Sequence, residues 1–239
     1  MKQGLERIQA LLKLLGNPQQ KLRFIHIGGT NGKGSTAAFI ASVLEKSGYR
    51  VGLYTSPYLL QFTNRMSING SDIPLDRLAL LVEEIKPLVE QVAAKPYLGQ
   101  PTEFEVVTAL AFTYFAQEKP DVVVLEVGLG GSLDATNVVN PLACVLTTVA
   151  LDHTQVLGPT LEDIAREKAG IIKEGVPVVT GVSQPEALQV IEQACLAKKA
   201  PLYILGKDFS YLRSKIQKRR QLFHFYGLRG RLDNLEISL

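Results

Sequence analysis

The chain has 239 residues, a formal net charge of +3 and 46% apolar residues. That length holds one sizeable α/β domain, or one domain and the start of another, and the composition is that of soluble globular proteins. So small a charge excludes nucleic acid as an expected partner, and no apolar run approaches the roughly 20 residues a bilayer span needs, so no membrane partner is expected either.

In chain order, leucines at helical spacing over residues 1–15 are interrupted by Lys2, Glu6, Arg7 and Lys13, the pattern of an amphipathic helix and not of a signal peptide. Residues 24–36 read Phe-Ile-His-Ile-Gly-Gly-Thr-Asn-Gly-Lys-Gly-Ser-Thr, an apolar strand running into a glycine loop with one lysine. A helix-prone segment follows at 35–47. Strand, glycine loop and helix in that order make a phosphate cradle, in which backbone N–H groups and a helix N-terminus face an anion and Lys33 reaches a terminal phosphate. Gly29, Thr30, Asn31, Gly32, Lys33, Gly34 and Ser35 are therefore the residues expected to bind a nucleoside triphosphate. The loop departs from the common P-loop at Ile27, where the first glycine would stand, and at Gly34, where a Ser or Thr would hold magnesium. The hydroxyls of Ser35 and Thr36 come one step late, so another segment is expected to supply a metal ligand. A plain strand-to-helix turn is the alternative, but a turn needs fewer glycines and no lysine.

Apolar strand-like runs recur at 51–54, 122–125, 143–149, 176–179 and 202–205, separated by helical patterns at 75–92, 105–117, 161–172 and 185–198. Strands apolar throughout and alternating with helices predict an α/β fold, a mostly parallel sheet covered on both faces, with ligands beyond the carboxyl ends of its strands. Cys144 and Cys195 lie in apolar or helical contexts without metal-ligand spacing, which fits a reducing, cytoplasmic location. From Gly206 the pattern changes to a turn and short antiparallel strands with a hairpin near 227–231. The expected division is an ATPase domain over 1–206 and a strand extension or linker over 207–239. Here Lys215, Lys218, Arg219, Arg220, Arg229 and Arg231 alternate with Tyr211, Phe223, Phe225 and Tyr226. RNA contact would use such a pattern, but a solvated strand pair with rings inward and cations outward explains the same alternation without it. The strand-like run up to Leu239 has no closing polar residue and is read as the middle of a longer protein.

Four polar positions follow apolar segments. Ser56 lies in Thr55-Ser56-Pro57, Glu126 closes 122–125 ahead of Val-Gly-Leu-Gly-Gly at 127–131, and Asp152-His153-Thr154 follows 143–151. Lys168 stands near the end of the 161–172 helix. A carboxylate that ends a buried strand beside a phosphate loop is a usual magnesium ligand, and it is costly to bury unpaired. For Glu126 an N-cap or surface acid is the alternative, for His153 a helix or loop cap with no metal, for Ser56 a turn. Lys168, beside Glu167, reads by itself as a solvated helix residue.

Gly-Gly-Thr-Asn-Gly-Lys-Gly-Ser at 28–35, Thr-Ser-Pro-Tyr-Leu at 55–59, Thr-Glu-Phe-Glu at 102–105 and Glu-Val-Gly-Leu-Gly-Gly at 126–131 together resemble folylpolyglutamate synthase (FPGS). So do Leu-Asp-Ala-Thr-Asn at 133–137, Asp-His at 152–153 and Glu-Lys-Ala-Gly-Ile at 167–171. This family, often bifunctional with dihydrofolate synthase, belongs to the Mur ligase superfamily, and the resemblance runs without a gap over about 5–239. It implies the N-terminal P-loop ATPase domain of an ATP-dependent ligase. ATP would convert a folate or dihydropteroate carboxylate to an acyl phosphate, which the amine of L-glutamate attacks to form an amide. The resemblance further implies Lys33, His153 and Lys168 as catalytic residues and Mg²⁺ held by Ser56 and Glu126. It places a second metal at His153 and Lys168, the latter carbamylated.

Two departures accompany the resemblance. The family's Glu-Arg-Ile reads Asn64-Arg65-Met66 here, keeping the arginine and losing the acid. Members also carry a C-terminal domain that closes over the nucleotide, so this chain alone is expected to be inactive as a ligase. The competing readings are another Mur-type amide ligase, acting on a cell-wall or peptide precursor, and an ATP-binding module without ligase activity.

Overall fold

The computed structural model describes residues 4–217 and 220–238. Its elements in chain order are α1 (Glu6–Leu14), β1 (Phe24–Gly28), α2 (Lys33–Lys46), β2 (Val51–Tyr54), β3 (Met66–Ile68), β4 (Ser71–Asp72), α3 (Leu75–Ala93) and α4 (Glu103–Glu118). There follow β5 (Val122–Glu126), β6 (Ala143–Leu146), α5 (Thr154–Leu157), α6 (Leu161–Ala169), β7 (Val178–Thr180), α7 (Pro185–Ala197), β8 (Leu202–Ile204), β9 (Ser210–Gln217), β10 (Arg220–Gly227) and β11 (Gly230–Ser238).

Eight strands form one sheet in the order β4-β3-β2-β5-β1-β6-β7-β8. From β2 to β8 every pair is parallel, as the apolar runs predict. All five residues of β5 are buried, which requires cover on both faces. On one side α1, α3 and α4 pack with Phe24, Tyr54, Val123 and Leu125. On the other, α2 covers Ile27, Val51 and Val124. Beyond β1, α6 and α7 pack on the first face with Cys144, Leu146 and Val178, which the register places on the same side as His26 and Leu125. Helix α4 is buried almost all round from Val107 to Phe115, so it carries no amphipathic stripe. Strand β1 is the switch point: the chain leaves it toward β2 on one side and returns to β6 on the other, and the crevice there is where such sheets bind ligands.

Several boundaries differ from the sequence expectation, each for a local reason. The 143–149 run is a strand only to Leu146, because Thr147 and Thr148 turn their hydroxyls to the phosphate loop. The 176–179 strand begins at Val178, after Pro177, and α6 stops at Ala169 rather than 172. Helix α4 starts two residues earlier than 105, set by a capping box between Thr102 and Glu105. The β3–β4 hairpin was not anticipated, although Asn69-Gly70, both at positive φ, is a strong hairpin signal.

The C-terminal strands pair antiparallel in the order β11-β10-β9 and are longer than expected. Their rings and cations do not separate cleanly by face. Arg231 lies 5.1 Å from the Tyr226 ring, Arg213 lies 6.0 Å from that of Tyr211, and Tyr211 remains half exposed. Lys218 and Arg219 of the basic cluster, Met1 and Lys2 of the N-terminal pattern, and Leu239 lie outside the described residues. Among the described residues no helix is long and apolar enough to cross a membrane.

Candidate active site

Between β1 and α2 the chain turns through Gly29 (φ 143°) and Gly32 (φ 79°), backbone angles that side chains resist. Lys33 is the first residue of α2, and its Nζ donates to the Thr30 carbonyl at 3.2 Å. The turn is tied to the segment after β6. Thr30 N–H donates to the Thr148 carbonyl (2.8 Å), Asn31 N–H to Thr148 Oγ1 (3.0 Å), and Thr147 Oγ1 to the Asn31 carbonyl (2.7 Å). Gly29 through Ser35 thus form one loop and helix start facing the crevice at the carboxyl end of β1.

Glu126 ends β5 in register with Ile27 of β1 and is only 4% exposed. Burial pushes its carboxyl pKa up, opposed by the Ser56 backbone N–H, which donates to Oε2 at 3.0 Å, and by the Lys33 ammonium. The glycine after Lys33 has a spatial reason. A Cβ on Gly34 would lie 3.4 Å from Glu126 Oε2, so the carboxylate stands beside the position where a common P-loop carries its hydroxyl. Ser56, two residues beyond the end of β2, meets this carboxylate through its backbone N–H.

Lys168 sits in the last turn of α6, 3% exposed, which overturns its reading as a solvated helix residue. Burial, and secondarily the charge of Lys33, lower its pKa from 10.5 to about 8, with Asp152 pulling the other way. Gly29, Thr30, Lys33, Asp152, His153 and Lys168 line one narrow recess, walled by residues 127–130 and Leu157. His153 caps α5 in a left-handed conformation (φ 48°), with its side chain 57% exposed and Nε2 3.7 Å from Asp152 Oδ1. The predicted residues therefore form two groups, Ser56 with Glu126 and His153 with Lys168, and Lys33 lies between them. Among the described residues no group of three or more His, Cys, Asp or Glu comes together as a metal cluster.

The residues that sequence reasoning did not assign lie next door. A cavity of about 530 Å³ shares Leu129, Gly130 and Leu157 with the recess and is lined by Arg7, Phe104, Glu105, Leu133 and Asp134 among others. Arg7 pairs with Glu105 at 3.0 Å across 98 residues of sequence, a contact no local pattern signals. Asp134 is held by the N–H groups of Leu129 and Thr136 and by the Thr136 hydroxyl, which also bonds His26 Nε2 at 2.9 Å. Burial keeps that imidazole neutral, its pKa lowered to about 3. Asn64, the departure from the family pattern, accepts from the N–H groups of Leu60 and Gln61 and so caps the loop after Pro57.

A parallel sheet with a glycine loop at its switch point, a lysine in that loop and a buried carboxylate on the next strand define a phosphate-loop nucleotide domain. Residues 27–226 match the Mur ligase middle domain, and the chain belongs to that family. It is 52% identical over 206 residues to the dihydrofolate synthase/folylpolyglutamate synthase of Bacillus subtilis, covering 86% of this chain and 48% of that one. With the folylpolyglutamate synthase of Lacticaseibacillus casei it shares 45% over 233 residues, 98% of this chain and 54% of the relative. An FPGS–AMPPCP–folate complex superposes with a TM-score of 0.94 at 44% identity, over 98% of this chain and 57% of the other. The chain spans about half the length of the curated relatives it matches.

Proposed function

We propose that this chain is the ATP-activating part of a folylpolyglutamate or dihydrofolate synthase, which converts a folate or dihydropteroate carboxylate to an acyl phosphate for amide formation with L-glutamate. The observation that carries the reading is the placement of Lys33 between a buried carboxylate and a buried lysine, at the mouth of a loop made for phosphate. A carboxylate is a poor electrophile and its oxygen a poor leaving group; phosphorylation cures both defects. Gly29 to Ser35 would hold the ATP phosphates through backbone N–H groups, and Lys33 would neutralise charge on the terminal one.

Ser56 and Glu126 offer hard oxygen donors, too few to enclose an ion, which fits Mg²⁺ that keeps waters and phosphate oxygens in its shell. When bound, magnesium stabilises charge on the transferring phosphoryl group. His153 and Lys168 are the corresponding pair on the other side. With a pKa of about 8, Lys168 has an appreciable neutral fraction near neutral pH, the form to which CO₂ adds to give the anionic carbamate. The adjoining cavity suits a flat ring system with polar edges, having Phe104 and Leu133 for its faces and Asp134 and Glu105 among its polar walls. The acceptor's carboxylate would then point into the recess. A cytoplasmic location, the division between 206 and 207, and a C-terminal domain in cis that completes the cleft belong to the same reading.

Two measurements test it. Calorimetry on this chain should show AMPPCP binding that strengthens with Mg²⁺; absence of binding at millimolar nucleotide would refute the phosphate-loop reading. Joined to the remaining half of the Bacillus subtilis relative, the chain should incorporate radiolabelled glutamate into folate or dihydropteroate. Incorporation into a peptide precursor alone would favour another Mur-type ligase, and ATP binding with no amide formed would favour a binding module.

A further inference from the structure

The turn of α6 that carries Lys168 rests on a second segment. Ser132 donates to the Glu167 carbonyl through both its N–H (2.9 Å) and its hydroxyl (3.1 Å). The two backbones meet so closely that a Cβ on Gly131 would come within 2.5 Å of the Glu167 carbonyl oxygen, and one on Gly170 within 2.1 Å of Ser132 Oγ. One side chain locks this contact. Asn137, 8% exposed, donates through Nδ2 to the carbonyls of Ser132 (2.9 Å) and Gly170 (3.2 Å). Its Oδ1 accepts from Lys173 Nζ at 2.8 Å, and the same ammonium donates to the Asn137 carbonyl at 3.2 Å.

Such a lock has a physical reason. Lys168 is a long, flexible cation held out of water beside the like charge of Lys33. Both effects favour swinging its amine into solvent, and a helix end is where fraying would let it go. We propose that Asn137 and Lys173 are positioning residues for Lys168, fixing the last turn of α6 so that its amine stays in the recess beside Lys33. Only a carboxamide supplies the two N–H donors and the acceptor that this junction uses. The functional weight of the assignment rests on the recess being the phosphate site; the positioning itself does not.

The test is trace acetylation of the folded 239-residue chain with acetic anhydride, with peptide mapping of the Lys168 and Lys33 rates and no nucleotide present. In the wild type Lys168 should label at least tenfold more slowly than Lys33. Asn137→Ser should narrow that gap fivefold or more while leaving the Lys33 rate unchanged, Lys173→Gln should act in the same direction, and Lys173→Arg should restore protection. A folded Asn137→Ser chain with Lys168 still protected, however far its Tm had fallen, would overturn the proposal. Should that variant not fold, Asn137→Asp decides, since it keeps the acceptor for Lys173 and removes both N–H donors; Lys168 still protected in it would overturn the proposal equally. Failure of the ligase reading would appear separately, as absent AMPPCP binding with the labelling pattern intact.

Discussion

The two sides of the recess are built in opposite ways. On the β5 side a carboxylate closes a fully buried strand, anchored by the backbone N–H of Ser56. On the α6 side a lysine is buried in the last turn of a helix, and its acidic neighbour Asp152 and His153 remain largely exposed. Each side buries one charge whose ionised form the protein disfavours, and the charges have opposite sign. Neither arrangement helps the fold. Both are what a domain would keep for binding polyphosphate and cations, and stability is expected to rise when either is removed.

The largest effect should come from Lys33, which faces both sides. Lys33→Ala should weaken AMPPCP binding by about tenfold or more, and in the joined enzyme should lower turnover by roughly 10²-fold. Near-wild-type values would reduce the loop to a turn and dissolve the comparison. Lys168→Met comes next. Below pH 8 the amine is charged in both folded and unfolded chains, so its burial cost is present in full. Between about 8 and 10.5 the folded chain has lost the proton that the unfolded chain keeps, so wild-type stability rises with pH across that window. Urea unfolding should therefore show the variant more stable at pH 7 by up to about 3 kcal/mol, with the gain shrinking toward pH 10. A variant less stable at every pH would mean that Lys168 is favourably paired.

Glu126→Gln probes the opposite sign. The folded carboxyl holds its proton to higher pH than the unfolded one, so wild-type stability falls as pH climbs from 4.5 through the raised folded value. The variant should unfold at higher urea concentration at pH 7, by less than Lys168→Met, and should lose the strengthening of AMPPCP binding by Mg²⁺. If magnesium still strengthened binding, Glu126 would not be a ligand. His153→Ala should be smallest on stability, within about 0.5 kcal/mol because the ring is exposed, yet should raise the Mg²⁺ concentration that ligation by the joined enzyme requires.

The β5 side was legible in the sequence because its signals are local. Val-Val-Val-Leu ahead of Glu126 reads as a buried strand, and Gly-Lys-Gly after β1 reads as a phosphate turn. Lys168 was legible only through resemblance, since the recess it lines is assembled from the phosphate loop and residues 127–130, far from α6 in sequence. The Arg7–Glu105 pair was invisible for the same reason. Local propensity also misplaced the end of β6, where Thr147 and Thr148 satisfy the phosphate loop instead of continuing the sheet. The eight-stranded topology was anticipated as a class, parallel and helix-covered, but its strand order depends on crossovers that no single segment encodes.

The threonine ties behind the phosphate loop bear on the thermodynamics of ligand capture. Ordering a free residue costs about 1–2 kcal/mol, and here the backbone of Thr30 and Asn31 is ordered by Thr147 and Thr148 when the protein folds. A nucleotide then meets a cradle already in shape, and its association should carry little of the unfavourable entropy that a mobile glycine loop would impose. The amides of Thr30 and Asn31 should exchange slowly with deuterium in the free protein, and Thr148→Val, which removes the hydroxyl that accepts from Asn31 N–H, should speed the Asn31 exchange while making binding entropy more negative.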